Sequence, residues 1–322
     1  MISAVCYAIV IVIVIAVPVA FTAFTARRVT RAFPPEGKFI DIGADRLHYV
    51  DQGSGPAIVF VHGLYGQLRN FAYLELERLA QSHRVILVDR PGSGRSTRGA
   101  ESPATIYAQA RTIAQFIEGL GLDRPVLVGH SLGGAIALAV GLNHPQAIRR
   151  LALIAPLTHA ESAPPGAFSG LALPSPLVRR LVSWTLAIPM SILNSRKAIE
   201  AVFAPETMPK NFPVKGGGLM GLRPHVFYAA SSDLVAAPQD LPDMERRYAL
   251  MTVPVDVLYG KGDRILNWKR HGEALKRKLD RVNLHVVDGG HMLPVTQPAL
   301  TTDWVAGVAA PAQAPMLEAQ GG

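Results

Sequence analysis

Val126-Leu-Val128-Gly129-His130-Ser131-Leu132-Gly133-Gly134 decides the reading of this chain, because it changes character twice within a few residues. An apolar run of strand character meets a G-x-S-x-G turn, and the residues that follow, through Asn143, form an alanine-rich stretch of helical character. A serine between such a strand and helix sits on a strained turn, where a side chain at either flanking glycine would collide with the neighbouring strand or helix. The Ser131 hydroxyl is then presented at a helix N-terminus, where backbone N–H groups and the helix dipole favour negative charge. The competing reading is a plain strand-to-helix turn with a capping serine.

Outward from that turn, short apolar runs recur: Ala57-Ile-Val-Phe-Val61, Val85-Ile-Leu-Val88, Leu151-Ala-Leu-Ile154, Val255-Asp-Val-Leu-Tyr259 and Leu284-His-Val-Val287. Such runs form strands buried on both faces. Helical stretches separate most of them, among them Phe71 to Gln81, Ile106 to Leu120 and Lys269 to Leu279. Strand, helix, strand in succession predicts right-handed crossovers and a mostly parallel sheet covered by helices, an α/β fold. Upstream, Lys38 to Ile42 and Leu47 to Asp51 alternate around Gly43-Ala44-Asp45 as a hairpin does.

The alternation stops at Pro156 and resumes near Val253. Residues 156–249, rich in Pro, Gly and bulky apolar residues such as Leu177, Leu181 and Trp184, read as a cap inserted into a core made of 38–155 and 250–305. It is either a substrate-lining lid or an insertion with a small core of its own. The tail, 306–322, is rich in Ala, Pro, Gly and Gln and is expected to be disordered.

No charged residue occurs from Met1 to Ala26, and Arg27, Arg28 and Arg31 follow. A run of this length can span a bilayer as a helix, which needs about 20 apolar residues. Hydrocarbon enforces the helix even on β-branched residues, because the backbone finds no partner there except itself. Residues 1–26 are therefore expected to form a single transmembrane anchor, with 27–37 as a linker. A cleaved signal peptide is the rival, but the basic start and a clean small-x-small cleavage site are missing. Arginines placed after the span put the rest of the chain on the cytoplasmic side. The net charge of +8 fits a membrane surface better than nucleic acid, since the basic residues are scattered and no aromatic-interleaved motif accompanies them. The only cysteine, Cys6, leaves no means of building a disulfide framework or a cysteine-ligated metal site. No H-E-x-x-H sequence or phosphate-binding loop points to a metal or nucleotide cofactor.

A serine hydroxyl is a weak nucleophile until a neighbour takes its proton. Of the ten histidines, His291 is the candidate base: it lies in Asp288-Gly289-Gly290-His291-Met292, at the carboxyl end of the last apolar run, where parallel sheets place ligands. The candidate acid is Asp263, in Tyr259-Gly260-Lys261-Gly262-Asp263-Arg264. Its carboxylate would fix the imidazole tautomer and stabilise the imidazolium formed during attack. Asp256 lies within a strand and Asp288 stands too near His291 in sequence, so both are weaker choices. The oxyanion formed by such an attack needs N–H donors, each worth roughly 3 to 4 kcal/mol. The backbone N–H of Leu132 is one candidate. That of Leu64, in Val61-His62-Gly63-Leu64-Tyr65-Gly66, is the other, with His62 bracing the loop.

These four elements in this order resemble the α/β-hydrolase superfamily, from about Lys38 to Trp304. Asp89-Arg-Pro-Gly-Ser-Gly-Arg-Ser96 also resembles a turn common in that family and is not a dinucleotide fingerprint. The resemblance implies an eight-stranded, mostly parallel sheet with a helical cap after the sixth strand. A serine at the elbow argues against epoxide hydrolases and haloalkane dehalogenases, which place aspartate there. Gly129-His130-Ser131-Leu132-Gly133-Gly134 is similar to esterases, monoacylglycerol-lipase-like enzymes, carbon-carbon bond hydrolases and cofactor-free haloperoxidases. The implied activity is hydrolysis of a carboxylic ester through an acyl-enzyme, and the expected anchor and apolar cap favour a lipid-like ester. Cleavage of a carbon-carbon or amide bond by the same residues, and a silent hydrolase-fold binding protein, are the alternatives.

Overall fold

In the computed structural model, residues 2–279 and 281–310 are described, the side chains of residues 2–14 excepted. Helix α1 (Ile2–Ala32) comes first, followed by strands β1 (Lys38–Ile42) and β2 (Asp45–Gln52). These two form the expected hairpin, with Ile42 opposite Asp45. Next come β3 (Ala57–Val61), the short helix α2 (Leu76–Ala80), β4 (Arg84–Val88), α3 (Ile106–Gly119), β5 (Val126–His130), α4 (Leu132–Asn143) and β6 (Arg150–Ile154). Between β6 and β7 (Val255–Gly260) lie α5 (Pro176–Trp184), α6 (Ala187–Phe203) and α7 (Pro224–Arg247). The chain continues through α8 (Ala274–Lys278), β8 (Val282–Val287), α9 (Leu293–Thr296) and α10 (Pro298–Ala309).

The eight strands make one sheet in the order β1-β2-β4-β3-β5-β6-β7-β8, antiparallel only where β2 meets β1 and β4. Every residue of β3, β5 and β7 is buried, as the unbroken apolar runs require of strands covered on both faces. One face carries α3 and α4 over Val59, Leu127, Leu153 and Val257. The other carries α10 over Phe60, Val128 and Ile154. Each such side chain contributes roughly 1.5 to 3 kcal/mol by leaving water, so these strands are the least negotiable part of the chain.

Three sequence boundaries move. The linker expected at 27–37 is helical through Ala32, because Val29 and Phe33 pack on Met220 and so extend α1 beyond its uncharged part. The disordered tail expected from 306 instead completes α10, with Val308 and Ala309 buried against the sheet; residues 311–322 lie outside the described residues. The last half of α7, placed in the cap by its sequence position, packs into the core through Ala237, Leu241 and Met244, with Tyr248 following at the same helical spacing.

Among the described residues no helix is long and apolar enough to cross a membrane. The side chains of residues 2–14, on which the expected anchor chiefly rests, lie outside the described residues.

Candidate active site

Ser131 stands between β5 and α4 with φ 56° and ψ −119°, a backbone conformation that L-residues avoid unless their surroundings impose it. Here they do. Its N–H donates to Ile154 O at 3.0 Å, and its carbonyl accepts from Leu157 N at 3.0 Å and Gly134 N at 2.9 Å. A Cβ on Gly129 would lie 2.5 Å from Gly133 O, and one on Gly133 would lie 2.2 Å from Val61 O. Both flanking glycines are therefore demanded by close backbone approach. Ser131 is 8% exposed, and among the described residues its Oγ makes no hydrogen bond.

The loops after β7 and β8 bring Asp263 and His291 together. Lys261 N donates to Val287 O and Gly262 N to Gly289 O, both at 2.8 Å, which ties one loop to the other. His291 Nδ1 and Asp263 Oδ2 are 2.7 Å apart, and Asp263 Oδ1 accepts from Ile265 N at 2.7 Å and Leu266 N at 2.9 Å. Burial pushes the Asp263 carboxyl up, but His291 and the two N–H donors outweigh it, leaving the group below its ordinary value. An ionised Asp263 holds the proton of His291 on Nδ1 and leaves Nε2 to accept. The rejected aspartates are engaged elsewhere: Asp256 pairs with Arg150 at 2.6 Å, and Asp288 is exposed beside Lys261.

His291 also lies against the Ser131 turn. Its carbonyl accepts from His130 Nε2 at 3.0 Å, and the two rings are 4.9 Å apart. Burial, then the neighbouring His291, drives the His130 imidazole down to about 3, so it is neutral at ordinary pH and donates from Nε2 alone.

Opposite Ser131 runs the loop after β3. A Cβ on Gly63 would come 2.9 Å from Ser131 Cβ, so this loop touches the turn directly. Among the described residues Leu64 N–H has no acceptor, and Leu132 N–H, in the first turn of α4, has none within its helix. The Gly63 carbonyl, on the opposite side of the same peptide as Leu64 N–H, is held from behind by His62 Nδ1 at 2.9 Å and Arg90 Nη2 at 3.0 Å. His62 Nε2 accepts from Arg90 N at 3.0 Å, and burial, with Arg90 next, lowers its pKa to about 3. His62 is therefore a neutral brace.

Arg90 is a contributor that sequence reasoning missed. Fully buried, it reaches Gln109 Oε1 at 2.7 Å and Asp233 Oδ2, on α7, at 2.6 Å. Asp233 also receives Arg98 at 2.5 Å. The sequence signals were the Asp89–Ser96 turn that contains Arg90 and a lone aspartate in a small-residue stretch of α7, Ala229-Ala-Ser-Ser-Asp233, far away in sequence. Above the loop, the cap's own small cluster of Leu171, Ala187, Phe227 and Ala230 packs on Leu64 and Tyr65. A second missed residue is Glu206, which accepts from Gly290 N at 3.2 Å beside His291. It lines a cleft of about 600 Å³ with Ile199, Met208 and Arg264, and Ser131 is not among the residues of that cleft.

A mostly parallel sheet, a serine on a strained elbow and a histidine–carboxylate pair at the ends of the last strands define a class of α/β hydrolases. The chain belongs to the alpha/beta hydrolase fold family, whose sequence profile matches residues 56–298. It is similar to a 2-hydroxy-6-oxononadienedioate/2-hydroxy-6-oxononatrienedioate hydrolase of Burkholderia vietnamiensis, at 29% identity over 77% of this chain and 86% of that one. It is 30% identical over 41% of its length to the dihydrolipoyllysine-residue acetyltransferase component of the acetoin cleaving system of Cupriavidus necator, and spans only 35% of that protein. Among solved structures, a protein of Acinetobacter baumannii AYE described as a lipase shares the fold with a TM-score of 0.66 at 23% identity, over 89% of this chain and 94% of that one.

Proposed function

We propose that this chain is a membrane-anchored serine hydrolase that cleaves carboxylic esters with a lipid-like acyl part. Ser131 Oγ attacks the acyl carbonyl while His291 Nε2 takes its proton, and Asp263 stabilises the imidazolium that results. The N–H groups of Leu64 and Leu132 receive the oxyanion. His291 then returns the proton to the leaving alkoxide, and water, deprotonated by the same ring, releases the acid and restores Ser131. The supporting observation is the 2.7 Å His291–Asp263 pair lying against the Ser131 turn. A hydrogen bond from Ser131 Oγ to His291 Nε2 is expected to form when substrate seats, as catalytic contacts that are long in empty sites do.

The lipid-like acyl group rests on the apolar cap packed over Leu64, and the anchor on the uncharged run Met1–Ala26 followed by three arginines. Carbon-carbon bond hydrolysis is the second reading, favoured by the Burkholderia relative that this chain matches over most of its length. Turnover of p-nitrophenyl esters of rising chain length, by wild type and Ser131→Ala, separates the two. Long-chain esters turned over best, with activity lost in the variant, support the ester reading. Negligible turnover of every ester by folded wild type removes it.

A further inference from the structure

Apolar side chains stand in solvent on one part of this molecule far more than elsewhere. Most of the large hydrophobic residues exposed among the described residues lie on α1, on α5 and α6, and in the turn joining the last two. Leu177 is 81% exposed, Leu193 76%, Leu181 59%, Phe24 59% and Trp184 43%. The three helices pack on one another. Helix α1 turns Thr22 and Val29 toward protein and Val17, Phe21 and Phe24 outward, so the outward sides make one continuous surface. Scattered exposed leucines need no explanation, but a contiguous apolar face marks an interaction site.

The charge on that face narrows what covers it. The sequence has no acidic residue before Glu36 and none between Glu161 and Glu200, so α1, α5 and nearly all of α6 carry only positive charge. Arg27, Arg28, Arg31, Arg180 and Lys197 are exposed there. A second copy of the same face would bring like charges together, whereas an anionic lipid surface offers both an apolar interior and the opposite charge. The face includes the described part of the run Met1–Ala26, from Ile15 on, and that run holds no charge at all.

We infer that the outer sides of α5 and α6, together with the exposed side of α1, are seated in the interfacial layer of an anionic membrane. The cap is then a second membrane contact beside the anchor, with Trp184 at the depth tryptophan favours. This inference rests on the membrane part of the proposed function and is independent of the chemistry at Ser131.

The test uses the full chain bound to vesicles of phosphatidylcholine and phosphatidylglycerol whose acyl chains carry bromine, a short-range quencher of tryptophan. Comparing wild type with Trp184→Phe isolates the emission of Trp184 from that of Trp268 and Trp304. The expected result is loss of the Trp184 share of emission in brominated vesicles. A Leu177→Glu/Leu193→Glu variant should regain that emission while still floating with the vesicles. Flotation with Trp184 emission unaffected by bromine overturns the cap contact and leaves the anchor standing; failure to float at all overturns both. Shielding of Trp184 from bromine and from an aqueous quencher alike, with chains cross-linking in pairs, assigns the face to a second copy and also overturns the inference.

Discussion

The core and the cap of this molecule are patterned in opposite senses. In the core, apolar strands are buried and the strained turn at Ser131 is held by backbone hydrogen bonds. In the cap, leucines face outward while Arg179, Arg223 and Asp233 are buried. Arg179 is satisfied by Ser231 Oγ at 3.0 Å and Ser232 Oγ at 2.9 Å, and Asp233 by two arginines that belong to the core. The lesson is that the cap is fastened inward by these buried polar contacts together with the Leu171 and Phe227 cluster on Leu64 and Tyr65, and leaves its outer apolar surface for a different neighbour.

That contrast can be broken by substitution, beginning with the largest effect. Ser131→Ala should reduce turnover by roughly 10⁶-fold, as removal of a triad nucleophile does. Asp263→Asn should reduce it by about 10⁴-fold by trapping the wrong tautomer of His291. Both should fold normally by circular dichroism, since the proposed chemistry belongs to the core's loops and not to its packing. Asp233→Ala tests the inward fastening: it strands Arg90 and Arg98 and should cost about 3 to 5 kcal/mol in urea unfolding. Leu181→Glu, on the outer side of the same cap, should change stability by less than about 0.5 kcal/mol. Equal costs for the two would dissolve the distinction between the cap's inside and its outside.

A smaller effect sharpens the core side. His62 and His130 are both held neutral by burial, down to about 3 against an ordinary value of 6.5. Between those values the unfolded chain binds protons that the folded chain refuses, so stability is complete above about pH 6.5 and is lost as pH falls toward 3. Each ring should contribute a slope of about 1.4 kcal/mol per pH unit. His130→Gln, which keeps a donor for His291 O, should remove one ring's share. An unchanged slope would mean that this ring is charged in the fold.

The core was legible in the sequence because its signals are local. β3, β5, β6 and β7 read directly from apolar runs, and the turns carrying Ser131, Asp263 and His291 each follow a strand closely enough for position alone to find them. What escaped was long-range. The partnership of Arg90 with Asp233 spans 143 residues, and nothing in either stretch names the other. The ends of the elements slipped for the same reason: α1 and α10 extend past their expected limits because Phe33 and Val308 find tertiary partners that composition does not reveal. The stretch Phe71 to Gln81, helical in pattern, forms an α-helix only at Leu76–Ala80, after a single 3₁₀ turn at Leu68–Phe71.

The proposed chemistry requires Ser131 to be the one activated hydroxyl of this chain. Treating folded wild type with a serine-directed fluorophosphonate and mapping the adduct by peptide mass spectrometry tests that most directly. A single adduct on Ser131, absent from Ser131→Ala and strongly slowed in Asp263→Asn, is the expected result; a folded chain left unlabelled, or labelled at another residue, would contradict it.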